Sequence, residues 1–466
     1  MQPFLLVLLC GVCAALAQAP APKAAPLPSL PPVPTTKVPP PWRIIVGPSI
    51  GVLPKPDETV VVWRTNFLEA RFEARDQNRP LFVTVRCPAN KFATDFDQGL
   101  IAGGPELSQL LLHFIPVRLT DAAQLDLSVF PVDGFQDLDV SWWGWFLSPQ
   151  AQVYSTFGGR DYVSESSRVS PAALIATMKR VLEHHHDPRR ADWQLEGAEP
   201  NPVDAFTARQ LPGFRPWDAR RTPAERAQLC LRCHQVNEIL RQPALDTKRF
   251  DKLRHVEVWP LPENVGLTLE RDHGLLVSRV TPGSPAERAG LRPGDILGAA
   301  GGRRLFGQAD FRAVLQRSPL DSGEGEIWWL RDGIPTRGLM VLGPGWRRTV
   351  LDWRISLAQG NIGAGPGFFP LGNVTELRRR ELGIPPDRMA VAPYWGGNAN
   401  AVCYLAGMRE TDVIVAVDGQ NPNLSGRAFL IWFRQRYEPG ARVTFTVKDR
   451  PGPGRPIAYQ LRAGDF

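Results

Sequence analysis

Residues 284–297 read Ser284-Pro285-Ala286-Glu287-Arg288-Ala289-Gly290-Leu291-Arg292-Pro293-Gly294-Asp295-Ile296-Leu297. Gly294-Asp295 is turn chemistry that ends a short helix and begins a strand at Ile296. Ala286, Ala289 and Leu291 are the small and apolar residues that pack such a helix onto a sheet. Upstream stand Gly266-Leu267-Thr268-Leu269 and an apolar run over 274–280, both read as strands. Downstream the pattern predicts a helix over 308–316. A hairpin follows, with strands at 326–330 and 335–342 around Arg331-Asp332-Gly333.

A second copy of this pattern follows. Ala289-Gly290-Leu291 and Ala406-Gly407-Met408 match at an offset of 117 residues. Asp412-Val413-Ile414 then stands where Asp295-Ile296-Leu297 stood. A helix is expected over 426–434, with strands over 443–447 and 457–461. A repeat this long is a duplicated domain, not a solenoid. The copy departs at Thr411, which replaces the turn glycine, and at Asn398-Ala399-Asn400-Ala401, which replaces the Ser-Pro-Ala entry.

The two units resemble PDZ domains of the bacterial exported-protease type, on the Ser-Pro-Ala-x-x-Ala-Gly-Leu-x-x-Gly-Asp-Ile-Leu block and its partial second copy. That resemblance implies an extended peptide added as a strand beside residues 266–269, with backbone N–H groups near Glu263, Asn264, Val265 and Gly266 holding a C-terminal carboxylate. Leu267, Leu269, Phe311 and Leu315 are the side chains it assigns to the groove. The first unit is the stronger candidate.

The first half of the chain has another pattern. A helix is expected over 63–78, a buried strand over 80–85, a helix over 107–113, a strand over 114–119, a hairpin over 142–147 and 153–157, and a helix over 171–186. Trp142, Trp143 and Trp145 read as core packing. This order resembles the thioredoxin fold, with Arg86-Cys87-Pro88-Ala89-Asn90 where a redox Cys-x-x-Cys would sit. Cys87 is alone in that turn. Asn90 takes the second cysteine's place, and Val140-Ser141-Trp142 stands where the facing proline is expected. A single thiol can form a mixed disulfide but cannot resolve it. His184-His185-His186 reads as a solvated helix end.

Between the halves lies Cys230-Leu231-Arg232-Cys233-His234. Two thiols spaced by two residues can add to the haem vinyl groups, and the following histidine can then ligate the iron. Haem c at Cys230, Cys233 and His234, with His255 as second ligand, is one reading. A Cys230–Cys233 disulfide is another, and zinc held by Cys230, Cys233, His234 and a fourth ligand a third.

Residues 4–17 form a short apolar run ending in Ala15-Leu16-Ala17, a signal-peptide pattern that predicts export to the periplasm or beyond. Residues 18–41 hold ten prolines, an extended spacer without a core. The expected organisation is a multidomain α+β chain: 1–17 signal peptide, 18–58 Pro-rich linker, 59–187 thioredoxin-like α/β sandwich, 188–222 linker, 223–254 CxxCH segment, 255–343 first PDZ-like β-sandwich/barrel domain, 344–380 connection, 381–464 second PDZ-like domain. In that order the parts resemble a family of exported bacterial thioredoxin/PDZ proteins, some with selenocysteine in the thioredoxin turn.

Lys and Arg exceed Asp and Glu by 54 to 47, but the basic residues are scattered, which argues against nucleic acid as a partner. After residue 20 no apolar run reaches the length of a membrane span. The seven histidines lie outside any Gly-x-Ser-x-Gly elbow and no Ser/His/Asp arrangement is suggested, which argues against a serine hydrolase. Two functions fit: a peptide-binding protein, or a redox protein whose PDZ-like units dock its client.

Overall fold

The computed structural model describes residues 60–86, 91–101, 104–130, 142–159, 169–188, 205–221, 223–228, 230–348, 351, 354–358, 362–424 and 426–462. The expected signal peptide and Pro-rich linker, and Cys87 with Asn90, lie outside them. The chain is a multidomain α+β protein with several β-sheets.

The first sheet has the order β2-β1-β3-β4, from β1 (Leu81–Arg86), β2 (Ile115–Leu119), β3 (Trp142–Leu147) and β4 (Val153–Gly159). β2 runs parallel to β1, and β3 and β4 antiparallel. Both faces are covered, which is why β1 and β3 are apolar without alternation. One face takes α2 (Lys91–Ile101), α3 (Pro105–Leu111) and α4 (Pro171–His186) around Phe82, Trp142 and Phe146. Gly144 in β3 lets this face close, since a Cβ there would come within 2.9 Å of the Phe82 ring. The other face takes α1 (Phe67–Gln77) against Val83, Trp143 and Trp145.

That second face corrects two sequence expectations. Ala208, Leu211 and Trp217 belong to its core, together with Leu231, Cys233, Val236 and Ile239. Residues 205–221, expected to be linker, and α6 (Cys233–Asp246), which follows the short α5 (Phe214–Ala219), therefore complete the first unit. The Pro-rich, polar composition hid three apolar anchors. His184 and His185 are also buried, at 2% and 5% exposure, and not a solvated helix end. The His185 ring spans from the Tyr154 hydroxyl (3.1 Å) to the Asn78 carbonyl (3.0 Å).

The next unit is built from β5 (Leu267–Leu269) paired with β6 (Val277–Val280), and from a sheet of order β10-β9-β7-β8. Its strands are β7 (Ile296–Ala300), β8 (Arg303–Arg304), β9 (Gly323–Arg331) and β10 (Ile334–Leu342), with helices α7 (Pro285–Arg288) and α8 (Gln308–Arg317). The last unit is a sheet of order β11-β12-β13-β14-β15. It comprises β11 (Phe369–Asn373), β12 (Val391–Tyr394), β13 (Val413–Val417), β14 (Arg442–Lys448) and β15 (Arg455–Gln460), with α9 (Glu376–Leu382), α10 (Val402–Leu405) and α11 (Gly426–Arg436). β11 and α9 fall in the stretch expected to be a connection over 344–380. Pro370 and Gly372 inside β11 concealed it, and both are tolerated there because β11 is an edge strand.

The sequence repeat is a repeat of contacts. Asp295 accepts from the Arg292 amide at 2.7 Å and from Arg331 Nε and Nη2 at 2.8 Å each. Asp412 accepts from the Arg409 amide at 2.7 Å and from Arg455 Nη2 at 2.6 Å, through Oδ2 in both cases. Each carboxylate is 1% exposed, and each ties the turn before β7 or β13 to the far hairpin. Asp295→Ala and Asp412→Ala are expected to cost about 2–3 kcal/mol each, because a buried amide and a guanidinium lose their acceptor. Asp295→Ala should cost more, since both its oxygens are engaged. Urea unfolding of the two variants checks the size and the order.

Candidate functional site

The loop before β5 is a 3₁₀ turn over Pro262–Val265, ended by Gly266 at φ 84°. A Cβ on Gly266 would lie 2.1 Å from Ser284 Cβ, so this position requires glycine for both conformation and space. Asn264 pins the turn: its Nδ2 donates to Trp346 O at 2.9 Å, and its Oδ1 accepts from the Leu261 amide at 3.1 Å. Two of the N–H groups expected to hold a carboxylate are used internally. The Asn264 amide donates to Leu261 O and the Gly266 amide to Glu263 O, both at 3.0 Å. Glu263 is half-buried at the same turn.

Val265, Leu267, Leu269, Phe311 and Leu315 come together in one apolar cluster, none of them above 2% exposure. As side chains Val265, Leu267 and Leu269 are core. What β5 offers is its backbone: it is a three-residue strand paired within its sheet to β6 alone. Phe311 and Leu315 of α8 also line a cavity of ≈ 300 Å³, with Val314 and the strand residues Ile327, Met340 and Leu342.

The first unit grips both walls around β5. From the α8 side, Asp310 accepts from Ser155 Oγ (2.8 Å), from the Thr156 amide (3.2 Å), and from the amides of Phe306 (2.9 Å) and Gly307 (3.1 Å). From the β5–β6 turn, Arg271 donates to Val169 O at 3.2 Å. Arg180 on α4 bridges the walls, donating to Phe306 O at 2.8 Å and to His273 O at 3.0 Å. Burial raises the Asp310 carboxyl to about 6. Burial and the Arg180 charge lower His273 to about 4. Sequence reasoning missed Asp310, Arg180 and His273. Their partners are 93–155 residues away, and no local pattern marks them.

Three buried arginines fix the entry to this unit. Consecutive carbonyls of Glu257, Val258 and Trp259 each accept from one guanidinium: Arg347, Arg354 and Arg312. They hold Trp259 at φ 55°, a conformation that costs a bulky residue about 1–2 kcal/mol.

The CxxCH residues are seated at the end of the first sheet. The Leu231 amide donates to Asp121 Oδ1 at 2.9 Å, and the Ala122 amide to Leu231 O at 3.0 Å. Cys230 is exposed, whereas Cys233, the first residue of α6, is 5% exposed. His234 Nδ1 sits 2.9 Å from Glu238 Oε1, and Glu238 Oε2 accepts from Trp217 Nε1 at 2.9 Å. Thioether bonds to one haem need both sulfurs at one porphyrin edge. Here Cys233 shares a core with Leu231, Val236 and Ile239. Among the described residues no three His, Cys, Asp or Glu side chains converge as a metal-holding group. His255 stacks on Phe250 with ring centroids 5.2 Å apart, and lines a crevice of ≈ 440 Å³ with Leu240, Arg254 and Trp259.

Comparison with known proteins bears on the middle of the chain. The PDZ domain model matches residues 276–322, from the start of β6 to the start of β9. The chain is 34% identical over 87 residues to the magnetosome formation protease MamE of Magnetospirillum gryphiswaldense. That likeness covers 18% of this chain and 11% of MamE's own length. The block Ser284–Leu297 is thus part of a PDZ domain, carried by a longer multidomain chain.

Proposed function

We propose that this protein is an exported peptide-binding protein whose PDZ domain takes the C-terminal segment of a partner as an added strand on β5. The observation that carries the reading is the pairing of β5 with β6 alone, next to a turn that only Gly266 allows. Main-chain bonds to the strand would supply affinity, and α8 would read the side chains. The likeness to MamE spans no more than a single domain, so proteolysis is not carried over.

The neighbouring units are read in the same way. The order β2-β1-β3-β4, with a parallel β1–β2 pair and an antiparallel β3–β4 hairpin, supports a thioredoxin-like first unit. The repeated aspartate–arginine clamp supports a PDZ-like last unit.

The test uses the full chain and a library of fluorescent peptides with free C-termini. Binders are expected in the micromolar range. Gly266→Ala is expected to weaken them at least tenfold, about 1.4 kcal/mol, with the far-ultraviolet spectrum unchanged. Amidated peptides should bind more weakly by a similar factor. A library without binders, or binding indifferent to Gly266→Ala, sinks the proposal.

A further inference from the structure

We propose that Cys230 and Cys233 are a redox-active dithiol, in which Cys230 attacks and Cys233 resolves. The inference does not depend on peptide binding. It rests on four features of the segment. First, the two-residue spacing keeps the two thiols close along the chain, as a short-loop disulfide requires. Second, the pair is asymmetric: Cys230 is exposed, and Cys233 is buried at the first residue of a 14-residue helix. A substrate sulfur can therefore reach the first thiol before the second.

Third, the backbone between the thiols is already held. Leu231 is bonded through both its amide and its carbonyl to residues 121–122, and the Arg232 amide donates to Gln235 Oε1 at 2.9 Å. Closing a disulfide there costs little chain ordering. Fourth, His234 Nδ1 is engaged by Glu238, which is itself fixed by Trp217. Among the described residues no third ligand converges on the pair as a metal would ask.

The exchange balances as follows. The Cys230 thiol gives its proton to water, and the thiolate attacks one sulfur of a partner disulfide. A Cys230–partner disulfide forms, while the partner's other sulfur leaves as a thiolate and takes up a proton. The Cys233 thiol then loses its proton and attacks Cys230 sulfur. The mixed bond breaks, and the second partner sulfur leaves and is protonated. Two electrons have passed to the partner, and the protein holds a Cys230–Cys233 disulfide. A thiol of a second protein or of a small molecule reverses the sequence.

The experiment equilibrates the full-length protein with mixtures of oxidised and reduced glutathione, traps thiols by alkylation, and assigns each cysteine by peptide mapping. Cys230 and Cys233 are expected to titrate together as one two-electron couple. Cys403, buried with its thiol donating to Gly367 O, should stay a free thiol throughout. Cys233→Ser should accumulate glutathione on Cys230, while Cys230→Ser should leave Cys233 unmodified. Cys87→Ser should leave the titration unchanged. The proposal is overturned if wild-type Cys230 and Cys233 stay unpaired at every ratio, or if Cys87→Ser abolishes the couple. It is equally overturned if protein from a haem-c-maturing host carries haem on both cysteines. The wild-type titration decides even if the Cys233→Ser variant misfolds.

Discussion

Replacing Arg347 with methionine is expected to destabilise the protein by about 3–5 kcal/mol, the largest effect of any single substitution outside the apolar cores. Methionine keeps most of the buried volume and removes every donor. Arg347 is 1% exposed. Its Nε donates to Glu257 O at 2.9 Å, its Nη1 to Ser318 O at 2.9 Å, and its Nη2 to Gln316 O and Oε1 at 2.6 and 2.7 Å. The variant takes a donor from three part-buried carbonyls, those of Glu257, Gln316 and Ser318, at about 1–3 kcal/mol for each that goes unsatisfied. Gln316 Oε1 also accepts from the Trp259 amide at 2.7 Å, so the end of α8 and the 257–259 segment loosen together. Desolvation lowers the Arg347 guanidinium to about 10, so it stays charged at neutral pH. Arg347→Lys should recover only part of the loss, because one ammonium cannot span four acceptors. Urea midpoints of the two variants check this, and a methionine variant within 1 kcal/mol of wild type (about the cost of one hydrogen bond) would refute it.

The second large effect is the stability that Asp310 alone takes away as pH rises through the weakly acidic range. Asp310 is buried between α8 and β4, beside a void of ≈ 20 Å³ that holds one water at most. Burial is the cause that raises its carboxyl from 3.8 to about 6, against four hydrogen bonds that favour the ionised form. Tyr154, His184, Arg303, Arg304 and Arg317 line the same void, and Arg180 approaches from α4. Below pH 3.8 both the folded and unfolded states hold the proton, and the group contributes nothing. Between 3.8 and about 6 the unfolded chain releases it first, so stability falls as pH rises. Above about 6 the loss is complete, on the order of 3 kcal/mol. Asp310→Asn forfeits acceptor capacity and is weaker overall. Over that window His273, lowered from 6.5 to about 4, contributes a gain with rising pH in both proteins, so the stability of Asp310→Asn should rise with pH more than that of wild type. Urea unfolding from about pH 4 to about pH 7 measures both slopes, and equal slopes refute the assignment.

Much of the architecture was legible because it is local. The helix expected over 171–186 is α4 residue for residue, since Ser170 caps it, Pro171 opens it and Leu174, Met178 and Val181 keep a helical period. The Ala-Gly-Leu and Ala-Gly-Met repeats marked two copies of one clamp, although the arginines that close it lie 36 and 43 residues downstream of the aspartates. The peptide-site residues were legible as a group but not in their role. Leu267, Leu269, Phe311 and Leu315 carry the same period whether they line a groove or fill a core; here all four fill a core, and Phe311 and Leu315 line a cavity too. The CxxCH spacing gave no sign that Leu231, Cys233 and Val236 face the first sheet. Apolar residues around a cysteine motif look alike whether they pack on a porphyrin or on tryptophans. Asp310 and Arg180 were invisible, because nothing in Gln308-Ala309-Asp310 states that Ser155 will be its neighbour.

The core that joins Phe67 to Ile239 has a consequence for synthesis. The four strands of the first sheet are all made once Gly159 has left the ribosome, but Val236 and Ile239 come about eighty residues later. At roughly 5–20 residues per second that is a wait of several seconds. Through that interval the face carrying Val83, Trp143 and Trp145 has α1 but not α6 to cover it. A nascent chain in that state presents an apolar surface of two tryptophans, and holding factors that shield such surfaces during translation would act on this stretch before any other.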